Sequence, residues 1–198
     1  MARIKSETLR AAILDAAREE IAARGYQETT IAHIAQRAGT VASNVYSYYG
    51  SKLEVYFAIY EPWFKHQFRL LEERIEATDG STAERLEMLA RGVLLDIASD
   101  SSGLSAALAV ALATARPTDD YRTDLLNWGE EQIERLALDI MRGSPSDPRN
   151  VVAFARTLMV LFDGMALRSH VTEPPEIGLL LTTILPILSV YPVEADAT

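Results

Sequence analysis

Apolar residues recur at intervals of three and four along nearly the whole chain, and no stretch sustains the alternation of a half-buried strand. The pattern predicts an all-α fold of about nine helices. The first spans about 6–24, with an apolar stripe of Leu9, Ile13, Ala16, Ala17 and Ile21. Ser6 is its N-cap and Gly25 its stop. Two short helices follow, about 31–38 and 41–49, bounded by Thr30, Gly39 and Gly50. A helix of more than 20 residues begins at Lys52, and Pro62 should kink or split it. Beyond the Asp79-Gly80-Ser81 turn, further helices are expected over about 82–98, 104–115, 119–141, 149–170 and 174–191. Their separators are Ser99–Gly103, Arg116-Pro117-Thr118, the punctuated run 143–148 and Pro174-Pro175. Three small helices thus precede six longer ones. The expected domain boundary falls at 52/53, giving a head of residues 1–52 and a body of residues 53–198.

Residues 30–49 have the layout of a helix-turn-helix. Two helices of about eight residues meet at Ala38-Gly39-Thr40, where Gly39 supplies the positive φ of a tight corner. Ala35 is small enough to let the helices cross closely. Helical spacing puts Val41, Val45, Tyr48 and Tyr49 on the inward side of the second helix. Ser43, Tyr46 and Ser47 fall on the opposite side, with Ala42 and Asn44 at its margins. That outer face carries no charge, and its small side chains allow close approach to a groove floor. Thr29, Thr30, Thr40, Ser43, Ser47, Ser51 and three tyrosines lie within 23 residues. Hydroxyls and helix N-termini are common phosphate contacts that fix register. Lys52 opens the next helix within reach of a phosphate.

Charge sharpens this picture. The 198 residues carry a net charge of -9, which taken whole argues against nucleic acid. Residues 1–52, however, hold seven basic and five acidic groups, while the remainder holds 12 and 23. Any phosphate contact therefore belongs to the first quarter of the chain. The chain has no Cys, which excludes disulfides, thiolate metal sites and a Cys nucleophile. His33, His66 and His170 are scattered outside any metal-ligand spacing, and His33 is read as a solvated surface residue. No nucleophile elbow, phosphate-binding glycine loop or dinucleotide fingerprint occurs. Asp119-Asp120 and Glu130-Glu131 diverge on a helix. No enzyme, cofactor or metal is expected. The N-terminus lacks an uninterrupted apolar core, and the apolar stretch 177–191 is shorter than the ~20 residues of a bilayer span, so a cytoplasmic protein without membrane insertion is expected.

The segment TTIAHIAQRAGTVASNVYSYYGSK, residues 29–52, resembles the signature of the TetR family of bacterial transcriptional regulators. Gly39, Val45, Tyr46, Tyr48, Tyr49, Ser51 and Lys52 fall in register with it. The resemblance extends upstream through ILDAAREEIAARGYQETT, and LFDGMALRS (161–169) resembles the family's dimerisation helix. The strong part covers about residues 9–60; the rest agrees in architecture. Two positions depart from the pattern. Ala42 and Ala32 stand where the family often has basic residues. The resemblance implies a homodimer on palindromic operator DNA, usually a repressor, released by a small molecule bound in the C-terminal domain. The DNA-contacting set is then Thr30, Thr40, Ala42, Ser43, Asn44, Tyr46, Ser47, Tyr48 and Lys52, with Arg3 and Lys5 on an N-terminal arm. Asn44 can pair bidentately with adenine, a contact worth about 1–3 kcal/mol of discrimination. Tyr48 and Tyr49 also have a plain packing role open to them, and Thr30 is at least a helix cap.

The acidic body has two expected tasks. Its last helix is apolar nearly all round, which requires burial on more than one side, and a partner subunit is the natural cover. Phe162, Leu181, Ile184, Leu185 and Leu188 are the expected interface residues, with Gly164 and Gly178 permitting close crossing. Two heads on a two-fold axis would read half-sites ~34 Å apart. The second task is sensing. Trp63, Gln67, Leu71, Met88, Arg91, Trp128, Gln132, Phe162 and Asp163 interrupt apolar stripes and are the candidate lining of an apolar, partly aromatic effector pocket. An effector favouring one arrangement of the Pro62-containing helix would alter the separation of the heads, for which about 1–3 kcal/mol of differential affinity suffices. The alternative is a helical ligand-binding or scaffold dimer without sequence-specific DNA recognition, motivated by Ala32 and Ala42.

Overall fold

A computed structural model describes residues 6–115, 124–143, 147–169, 171–173 and 175–189. Arg3, Lys5, Asp119-Asp120 and His170 lie outside the described residues, as do parts of the expected linkers. Among the described residues all regular structure is helical. Contacts group Met1–Phe64 with Ser101–Tyr121 as one compact unit and Lys65–Asp100 with Arg122–Thr198 as the other. The division falls within a helix, later than the expected 52/53 boundary.

The first unit contains α1 (Glu7–Glu28), α2 (Ile31–Arg37), α3 (Ala42–Tyr48), the start of α4 (Lys52–Glu76) and α6 (Leu104–Thr114). Ser6 caps α1 by accepting a hydrogen bond from the Leu9 amide. Gly25, at φ 77°, breaks the helical path, but hydrogen bonding continues to Glu28, four residues past the expected end. The core joins Ile13 and Ala17 of α1 to Ile34, Val45, Val55 and Ile59. An aromatic ladder runs along α4. Tyr26 meets Tyr56 edge-on at 5.4 Å, Tyr56 stacks on Tyr60 at 5.7 Å, and Tyr60 stacks on Phe64 at 5.2 Å. The i, i+4 spacing of Tyr56, Tyr60 and Phe64 puts them on one face. The Tyr56 hydroxyl donates to the Leu104 carbonyl at 2.5 Å, and α6 packs against α1. A helix distant in sequence is thereby part of the N-terminal unit. α4 continues through Pro62, whose expected split does not occur.

The second unit contains the rest of α4, α5 (Thr82–Arg91), α7 (Asp124–Ile140), α8 (Pro148–Ser169) and α9 (Ile177–Ile184). Ser81 and Glu84 form a reciprocal capping box at the start of α5. The hydrogen bonds from Ser81 hold the Glu84 carboxyl below its usual range. The helix expected over 82–98 changes register. From Gly92 to Ile97 the turns widen to π geometry. Gly92 lies so close to α4 that a Cβ there would run into the Leu71 methyls. The last helix is shorter than expected. It ends at Ile184 and tightens into a 3-10 turn over Leu185–Ser189, where Pro186 has no amide to continue the ladder. The buried Asn150 side chain donates to the Leu188 carbonyl at 3.1 Å and ties this turn to α8. α8 alone among the described helices is long and apolar enough to cross a bilayer, and its Val151, Phe154, Leu158 and Phe162 are core residues of this unit.

Candidate nucleic-acid interface

The reading head is built by short-range hydrogen bonds. The Thr30 hydroxyl accepts from the His33 amide at 3.2 Å and caps α2. After α2 the chain turns at Gly39 (φ 66°), and the Thr40 amide donates to the Ala35 carbonyl at 2.9 Å. Ala35 is buried between the crossing helices, as its size predicts. α3 starts at Ala42, one residue later than expected. Val41 becomes its N-cap and is 59% exposed rather than packed. The expected inward set is thus corrected: Val45 and Tyr49 are buried, Val41 faces solvent, and Tyr48 is half-buried. Shifting a helix start by one residue takes the cap position off the packed stripe.

The outward face of α3 is open. Ser43 and Ser47 are exposed, and Tyr46 is 55% exposed. The Ser47 hydroxyl donates back to the Asn44 carbonyl at 2.6 Å, leaving its lone pairs outward. Ala42, Thr40 and Asn44 are half-buried. The Asn44 amide group donates to the Thr40 hydroxyl at 2.8 Å, which fixes its orientation before any base arrives. Tyr48 bridges two elements: its hydroxyl accepts from the Ser6 amide at 2.7 Å and donates to the Ser6 carbonyl at 3.1 Å. It fixes the start of α1 beside α3.

Lys52 has a different environment from the one its sequence position suggests. Its ammonium donates to the carbonyls of Tyr26 (2.8 Å), Thr29 (2.9 Å) and Gln27 (3.3 Å), and sits 4.2 Å from the Tyr26 ring centroid. It therefore satisfies the orphan carbonyls at the end of α1. Partial burial lowers its pKa, and the charge of Glu28 works the other way.

A second polar cluster ties α1 to α2. Glu20 is only 4% exposed. Arg37 donates to it through Nε at 2.5 Å and to Glu19 through an Nη at 2.8 Å. Arg24 Nε lies 2.8 Å from the other Glu20 oxygen, close in charge but off hydrogen-bond geometry. The Arg37 hydrogen bond holds the Glu20 carboxyl below its usual range, with Arg24 adding to the effect against the cost of burial. His33 is half-buried, with Nδ1 enclosed, so its expected place as a solvated residue is corrected. The sequence gives little warning of Glu20, since an acid next to Glu19 on an amphipathic helix reads as solvated.

The expected pocket residues do not share one environment. Trp63 lies against Tyr60 in the first unit, at 5.4 Å. In the second unit, Leu71 is buried, Met88 accepts from the Thr78 hydroxyl at 3.6 Å, and Arg91 pairs with Glu87 at 2.7 Å. Trp128 packs edge-on against Phe68, with Lys65 5.5 Å from its ring centroid. Gln67 is half-buried, and Gln132 accepts from Arg135 at 3.2 Å. Phe162 is core, whereas Asp163 is exposed on α8, and partial desolvation of its carboxyl pushes it up. Helical phase puts these two neighbours on different sides of α8. The expected interface residues are distributed as follows within the single chain. Phe162, Leu181, Ile184 and Leu188 are buried within their own unit, and Leu185 is half-buried. Packing against α5 and α8 covers that side of α9. From α8 to α9 the large apolar side chains left outside are Val160, Leu167, Val171 and Leu179, with open space around Gly164; Leu70 on α4 and Leu138 on α7 are exposed as well.

The open, uncharged face on the second helix of a helix-turn-helix, in an all-helical unit, has the layout of a nucleic-acid reading head. Residues 13–59 match the family model described as bacterial regulatory proteins of the tetR family, so the chain carries that family's helix-turn-helix segment. A search of curated protein sequences finds no match. Solved structures share the fold at low identity. FadR from Bacillus subtilis in complex with stearoyl-CoA aligns with TM-score 0.62 at 17% identity, over 92% of this chain and 99% of that one. The fatty acid degradation regulator FadR from Bacillus halodurans gives 0.59 at 16% over 92% and 99%. A TetR-like transcriptional regulator from Rhodococcus sp. RHA1 gives 0.56 at 20% over 94% and 97%.

Proposed function

We propose that the chain is a ligand-responsive repressor that binds palindromic operator DNA as a homodimer and releases it when a small molecule occupies the second unit. The observation that carries this is the outward face of α3. Ser43, Tyr46 and Ser47 are presented to solvent, and none is consumed by the core. Thr30, Thr40, Ala42 and Asn44 flank that face, and Tyr48 steadies it through Ser6. Val41 joins the set: an exposed branched apolar group at the N-terminus of α3 suits the methyl of thymine. Lys52 acts indirectly, by holding the end of α1.

Two short heads bind more tightly as a pair than singly, and an apolar surface suits the pairing. Val160 and Leu179 are each 71% exposed. They and Leu167 replace the core residues as the interface, with the outward Asp163 and Gly164 beside them on α8. The Bacillus subtilis regulator of the same fold was solved in complex with stearoyl-CoA, which supports a ligand-responsive reading.

A competition gel shift with DNA from the gene's upstream region tests the reading. One palindrome should outcompete bulk duplex, and Tyr46→Phe with Ser43→Ala should erode that preference by ~1–3 kcal/mol. Equal, weak binding to any duplex would establish the scaffold reading instead.

A further inference from the structure

The second unit has an open cleft of about 250 Å³ between the ends of α4, α5 and α7. This is below the roughly 300–1,000 Å³ of pockets for drug-sized ligands. Its floor is apolar: Ile75, Leu136 and Ile140 line it and are otherwise enclosed. Most of the charged rim is already neutralised. Arg135 holds Glu72 at 2.7 Å and lies 3.5 Å from Asp139, which Arg142 also meets at 2.7 Å.

Two rim groups are left over. The Arg85 Nε is buried and has no hydrogen-bond partner. Among the described residues Arg85 makes no ion pair, and the exposed Glu76 carboxylate makes neither a hydrogen bond nor an ion pair, though its charge acts on Arg135. An enclosed N–H without an acceptor is costly, so the Nε edge of the half-buried Arg85 marks a place where an acceptor is missing. A simple anion would satisfy Arg85 but would face the carboxylates of Glu72, Glu76 and Asp139. A simple cation would satisfy Glu76 and leave Arg85 unmet. A molecule bearing both charges on a small apolar body answers the Arg85 Nε without setting an uncompensated anion beside the carboxylates of the rim.

We infer that this cleft binds a compact zwitterion with an apolar body, of the size of a hydrophobic amino acid. Its carboxylate meets Arg85, its ammonium meets Glu76, and its side chain rests on Ile75, Leu136 and Ile140. The inference rests on reading the second unit as the ligand-binding part. The two fail separately: a chain that selects an operator yet binds no such probe refutes only the cleft.

The full chain is titrated calorimetrically at neutral pH with L-phenylalanine, N-acetyl-L-phenylalanine and L-phenylalanine amide. Phenylalanine should bind saturably at one site per chain, and either derivative should bind about tenfold or more weakly. Arg85→Gln should weaken phenylalanine by a similar factor. Glu76→Gln should narrow its advantage over the N-acetyl form. Glu76 is exposed, so its variant keeps the test decisive if Arg85→Gln melts early. Absence of saturable heat, equal binding of a singly charged derivative, or unaltered binding by both variants would overturn the assignment.

Discussion

Lys52 can act on DNA or on its own fold, and Lys52→Met separates these roles. Methionine keeps most of the stem and removes the charge with its three donors. The ammonium reaches the Tyr26, Gln27 and Thr29 carbonyls within 2.8–3.3 Å. A hydrogen bond to a charged group contributes about 1.5–3 kcal/mol, and a cation over an aromatic face adds about 0.5–1 kcal/mol. The three bonds share one half-buried ammonium, and the freed carbonyls regain water in part. The contributions therefore do not multiply, and the expected loss is about 2 kcal/mol. For a chain of this length that lowers Tm by roughly 4–8 °C. A phosphate contact predicts something different. Each neutralised phosphate adds about 0.9 to the slope of log affinity against log salt. Thermal melting and operator titrations between about 50 and 200 mM salt give both quantities. The expected outcome is a lower Tm with an unchanged salt slope at temperatures where the variant is folded. An unchanged Tm with a slope reduced by about 0.9 would refute the capping argument and return Lys52 to the DNA interface.

Glu20 should make stability depend on acid. Its folded pKa lies below the unfolded value of about 4.3, so its contribution is complete above that pH and is lost as pH falls through the folded value. The Tm advantage of the wild type over Glu20→Gln should be largest near neutrality and shrink below about pH 4.3, and an advantage independent of pH would contradict the pairing with Arg37. The exposed apolar side chains of α8 and α9 should govern association. Val160→Glu with Leu179→Glu should shift light scattering from about twice the 21.9 kDa chain mass to one chain, while the parent staying monomeric at micromolar concentration would remove the interface.

What could be read from sequence depended on whether the signal was local. The caps at Ser6, Thr30 and Ser81, the corner at Gly39 and the buried Ala35 and Val45 follow from residue chemistry within one or two turns. So does the open face of Ser43, Tyr46 and Ser47. The roles of Lys52 and Tyr48 were not legible, because their partners lie 23–26 and 42 residues away along the chain. Periodicity gives the face a residue occupies but not what the face meets. Gly92 illustrates this: as a mid-helix glycine it reads as neutral, whereas the close approach of Leu71 explains why a smaller residue is needed.

The same limit explains the interface and the pocket. A helix apolar on all sides must be covered twice, but composition does not say which side its own subunit covers. The fold gives Ile177, Leu181, Ile184 and Leu188 to the core and leaves Leu179 outside, so the residues with the strongest apolar spacing are the ones least able to meet a partner. Pocket residues fail in a related way. Polar interruptions of an apolar stripe can mark a lining, but here several are answered within the chain, as Arg91 is by Glu87 and Gln132 by Arg135. The more telling mark is a polar group that remains unanswered after folding. Arg85 is such a group: Arg91 has Glu87 four residues before it in the same helix, whereas Arg85 has no acid three or four residues away, and the packed structure brings it no ion-pair partner from another helix.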